Sequence, residues 1–143
     1  MDVRARAAAV RTRASAAAET APEPATIARW GLGLMLVAAG AHKLLNPAGW
    51  TVYVADWLAP WLVVSPRAFM LVNGYLELGF AALLLADRWA WVAALVAAVS
   101  LAATTAYLTV VWVDTGAFGD VVARDVGLTG LALAVLVDAL GEN

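Results

Sequence analysis

Trp89 to Val113 is a run of 25 residues without one charged side chain. About 20 apolar residues suffice to carry a helix across a bilayer. A soluble domain in a chain of 143 residues has one small core and nowhere to hide such a run. The composition agrees, with 64% hydrophobic and 14% charged residues, where soluble domains carry about 25% charged. The chain is therefore read as an integral membrane protein.

The other elements are placed around that run. Residues 1–25 read as a disordered or surface-lying basic cytoplasmic tail, with Arg4, Arg6, Arg11 and Arg13 set among alanines. Its charged stretch is too long for a secretory signal. Residues 26–143 form the membrane domain, with spans over about 26–45, 67–86, 89–113 and 121–140. Thr26 is the expected N-cap of span one, and Asn46-Pro47-Ala-Gly49 ends it. Ser65 and Pro66 suit the start of span two. Asp87-Arg88 is a tight turn into span three. Span four is the weakest by composition, because only Val126 to Val137 is free of charge.

The predicted fold is all-α: an integral membrane four-helix bundle with an extra amphipathic or re-entrant helix between spans one and two. Trp50, Tyr53, Trp57 and Trp61 are spaced to form one helical stripe. The segment is too short to cross, so it is expected at the membrane surface as an anchor or an aromatic lid. Trp30, Trp89 and Trp112 join these four as anchors. Placing the N-terminus inside leaves six arginines within (Arg4, Arg6, Arg11, Arg13, Arg29, Arg88) and three basic residues outside (Lys43, Arg67, Arg124). The positive-inside rule then puts both chain ends in the cytoplasm of a multi-pass cell-membrane protein.

Glu77 is the residue that most needs a reason, because nine uncharged residues flank it on each side. A carboxylate at the centre of a span is a functional hypothesis by default. At about 1.5 Å per residue it lies about 15 Å below the outer surface. His42, Lys43, Asn73, Thr104, Thr105, Tyr107, Arg124 and Asp125 fall in the same outer half. Two readings follow. Lys43 or Arg124 pairs with Glu77 or Asp125 as a structural ion pair. Alternatively, the cluster is an outward polar pocket in which desolvated Glu77 carries a proton or binds a polar head.

The composition narrows the chemistry. With no cysteine and one histidine, thiol redox chemistry, Cys-ligated metals and bis-histidine haem are excluded within the chain, and no metal site is expected. Eight arginines against one lysine, with abundant alanine, suggest a GC-rich prokaryotic genome. No basic patch outside the tail points to nucleic acid.

The motifs Arg29-Trp-Gly-Leu-Gly-Leu34, Ala39-Gly-Ala-His-Lys-Leu44, Tyr75-Leu-Glu-Leu-Gly79 and Arg124-Asp-Val-Gly-Leu-Thr-Gly-Leu131 resemble the DoxX family of small four-helix membrane proteins. The resemblance covers about residues 26–140, and span three has no comparable motif. Members are linked to thiosulfate:quinone oxidoreduction and to membrane oxidoreductase complexes. The resemblance thus implies an accessory or anchor subunit of such a complex, not catalytic on its own, contributing to a quinone site. No covalently bound cofactor is expected. Glu77 would be the proton carrier, with His42, Lys43, Tyr107 and Arg124 around the quinone head. Two alternatives stand beside it. One is a packing subunit, or a homo-oligomer, whose contact face is the alanine row Ala90, Ala94, Ala98, Ala102 and Ala106. The other is a small transporter or lipid-binding protein using the outer pocket.

Overall fold

The computed structural model describes residues 2–141, all of whose regular structure is helical. Helix α1 is Val3–Ala18, α2 Pro24–Leu45, α3 Pro47–Trp50, α4 Pro66–Leu85, α5 Ala90–Thr115 and α6 Gly119–Gly141. Three of these, α2, α4 and α5, are long and apolar enough to cross a membrane. Three such helices are those of a multi-pass membrane protein.

Alanine and arginine favour helix, and the tail forms one, capped by the Asp2 carboxylate accepting from the Arg4 N–H. No residue of α1 is buried. Helix α2 begins at Pro24 after Glu23, two residues before the expected start. Thr26 lies inside the first turn and does not cap it. Proline at the first helical position has the φ the helix needs and no N–H to leave unpaired. The Ser65 side chain accepts from Ala68 N–H at the start of α4, as its sequence predicts.

The long helices pack as two close pairs, α2 with α4 and α5 with α6, with lighter contacts from α2 to α6 and α4 to α5. One end of the assembly carries the α4–α5 turn, where Asp87 and Trp89 adopt left-handed backbone. Arg29 clasps that turn, donating to the Leu84 carbonyl (2.6 Å) and pairing with Asp87 (3.2 Å). The main core fills this half: Leu32, Leu36, Ala81, Leu84, Ala132 and Val135 around Ala90, Ala93, Ala94, Ala97 and Ala98. The alanine row is thus divided. Ala90, Ala94 and Ala98 are used inside the chain, and only Ala102 and Ala106 are exposed.

The segment after α2 corrects one expectation. It is not a single amphipathic helix but the one-turn α3, a 3-10 turn at Thr51–Tyr53, an extended residue at Val54 and a second 3-10 turn at Ala59–Trp61. A regular stripe is therefore lost. Trp50, Tyr53 and Trp57 turn onto the rest of the chain, whereas Trp61 is 82% exposed. The physical reason is a tether that periodicity cannot show. The Tyr107 hydroxyl donates to the Tyr53 carbonyl (2.9 Å) and accepts from the Ala55 N–H (2.8 Å). We call residues 47–61 the strap.

Candidate functional site

Two glycines set the site. A Cβ on Gly40 would lie 2.8 Å from the Gly74 carbonyl oxygen, and one on Gly74 would lie 3.0 Å from the Gly40 carbonyl oxygen. Only glycine lets two helix backbones approach this closely. Three residues further along each helix stand Lys43 and Glu77. The crossing brings them together, and Lys43 Nζ donates to Glu77 Oε1 at 2.5 Å. Lys43 is only 8% exposed. Its ammonium also lies 4.2 Å from the centroid of the Trp50 ring, a cation–π contact. Trp50 in turn donates its indole N–H to His42 Nδ1 (2.8 Å). His42 accepts at Nδ1 here, so the proton of the neutral ring sits on Nε2.

One atom in this network has no partner. Glu77 Oε2 is buried and unbonded. A buried polar atom ordinarily has a hydrogen-bond partner, and a lone acceptor of this kind calls for a donor.

Glu77 and Lys43 line two adjoining cavities, of about 460 Å³ and 340 Å³. Of the residues singled out in the sequence, Asn73, Thr104, Arg124 and Asp125 line both. His42 lines the larger and Tyr107 the smaller. Arg124 Nε donates to Asp125 Oδ1 (2.9 Å), and Asp125 is only 4% exposed. Two ion pairs, Lys43–Glu77 and Arg124–Asp125, thus face one space. Thr105 is not brought in: it donates to the Leu101 carbonyl and lies 3.5 Å from the Thr129 hydroxyl, between α5 and α6. Trp30, Trp89 and Trp112 are exposed at helix ends, and Trp112 also packs its indole on Gly119 at the start of α6.

Sequence reasoning missed one contributor. Ser100 lines both cavities; its only signal is a hydroxyl standing alone in an alanine- and valine-rich stretch. Trp50, expected as an anchor or part of an aromatic lid, lines both cavities.

The DoxX family model matches residues 25–112. The chain belongs to the DoxX family. No curated protein and no solved structure matches it. Within this DoxX-family chain the match takes in α2, the strap, α4 and most of α5, and so Lys43, Glu77 and Thr104. It includes span three, for which the sequence offered no motif. It stops before the Arg124–Leu131 motif.

Proposed function

We propose that this protein is an accessory or anchor subunit of a membrane oxidoreductase complex and that it contributes a site for a quinone head. In this reading α2, α4, α5 and α6 form a four-span bundle with both chain ends cytoplasmic. The 23 residues of α6 reach about 34 Å, enough to cross. Its least apolar stretch, Arg124 and Asp125, is satisfied as an ion pair.

The observation that carries the proposal is Glu77 Oε2, a buried acceptor without a donor beside a cavity of mostly apolar lining. The hydroxyl of the reduced, quinol form would supply that donor. A quinone bound there supplies two-electron, two-proton redox chemistry. Lys43 holds Glu77 Oε1 in place, which leaves Oε2 as the atom that takes a proton. Trp50 offers a face for stacking, and His42 and Thr104 offer further polar contacts. Electrons must pass to a redox centre in a partner, because the chain has no cysteine and a single histidine to hold one. A purely packing subunit is less well supported, since most of its expected alanine face is used internally.

The test starts from membranes solubilised in mild detergent. The chain is expected to copurify with a partner showing a redox-cofactor absorption spectrum, and with extractable quinone. Glu77→Gln alone leaves the buried Lys43 uncompensated, a loss of about 3–5 kcal/mol when a buried pair is broken. The informative variant is Lys43→Met/Glu77→Gln, which removes both charges. It is expected to fold and assemble but to lose quinone-dependent turnover. A folded double variant with full turnover, or a chain that purifies without any redox partner, overturns the proposal.

A further inference from the structure

The site is covered at its ends and reaches the surface on its flanks. At the strap end, Trp50 and Tyr53 cover it, with the backbone at 53–55 held by the Tyr107 hydroxyl. At the turn end, the alanine-rich core fills the space between helices. Exposed lining residues lie on two flanks: Ala38, His42 and Arg124 on the α2 and α6 side, two of them polar, and Leu76, Val96, Ser100 and Thr104 on the α4 and α5 side, where the two large ones are apolar. Ser100 and Thr104 line both cavities, yet both are exposed. Leu76 and Val96 line the larger cavity and are 52% and 37% exposed. A residue that lines a cavity and is also open on the flank of two apolar helices marks a mouth in the wall that faces hydrocarbon.

We infer that the α4–α5 cleft is a lateral port through which an amphipathic lipid reaches the site from within the bilayer. Its hydroxyl-bearing head lies at Glu77, and its flexible apolar tail leaves between Leu76 and Val96. The head chemistry rests on the proposed quinone site; the port itself rests on which lining residues are exposed. The same chemistry could come from a quinol with an apolar tail or from a membrane lipid with a free hydroxyl in its head. A ligand arriving from water would need a path at the strap end, where the aromatic cover stands.

The full chain is reconstituted in phosphatidylcholine and phosphatidylglycerol vesicles with a decyl-substituted benzoquinone in its reduced form. Retained quinone and phospholipid are measured after extraction in mild detergent. Leu76→Trp/Val96→Trp fills the mouth, and Ser100→Phe fills it from α5 alone should the first variant fold poorly. Val99→Trp, on an exposed face of α5 that lines neither cavity, is the control. The mouth variants are expected to lose the tailed ligand by about tenfold or more, since a few methylenes leave apolar contact. Val99→Trp is expected to retain it, and a benzoquinone without a tail is expected to bind weakly to all. Selective loss of phosphatidylglycerol instead of quinone upholds the port and removes the quinone reading. Equal retention by folded mouth variants and wild type, or equal retention of tailed and tail-free ligands by wild type, overturns the port.

Discussion

Gly40 and Gly74 decide where the charged residues stand. The backbone contact between them fixes the spacing of α2 and α4, and Lys43 and Glu77 follow one turn on. Gly40→Ala should therefore cost about 1–3 kcal/mol, the usual range for forcing extra volume into a packed contact. The opposite sign is expected for Gly31→Ala in the same helix. A Cβ there meets nothing within 4 Å, and alanine outranks glycine in a helix by about 0.8–1.0 kcal/mol. Unfolding of both variants in detergent measures the contrast; equal effects would mean that the crossing is not held by close approach. The sequence showed Glu77 as the residue needing explanation and placed eight polar residues in the same outer half. Depth was legible because rise per residue is fixed. Rotation about each helix axis was not. Thr105 and Thr104 are neighbours in the chain, yet only Thr104 faces the cavities.

The strap shows what periodicity can and cannot say about an element. The spacing of Trp50, Tyr53, Trp57 and Trp61 fits a helix, but Pro60 and the extended Val54 break it, and a hydroxyl from a distant helix holds the pieces. Such a tether leaves no trace in local sequence. Tyr107→Phe keeps the ring that packs on Trp57 and removes both hydrogen bonds. Stranding the Ala55 N–H should cost about 1–3 kcal/mol. Hydrogen exchange at residues 53–58 is expected to quicken, with protection in α2 and α4 unchanged. Unaltered exchange would show that the aromatic contacts hold the strap without the hydroxyl. By contrast, α4 and α5 were legible almost to the residue, because a serine cap, a proline and a long uncharged run are local signals.

At the scale of the whole molecule, α2 begins and α6 ends at the turn end, so both termini of the membrane domain share one side. Which side is an arginine argument, six residues against three. An impermeant thiol reagent applied to intact cells is expected to label Ala117→Cys and to leave Ala21→Cys unlabelled. The reverse pattern would invert the topology. The turn end also bears on biogenesis. Only residues 86–89 join α4 to α5. A connection this short makes the two a helical hairpin. Arg29 belongs to a helix made earlier, but its acceptors, Leu84 and Asp87, belong to that hairpin. Until the hairpin arrives, the guanidinium has no partner from it. Closure of this clasp thus joins the first long helix to a hairpin made after it.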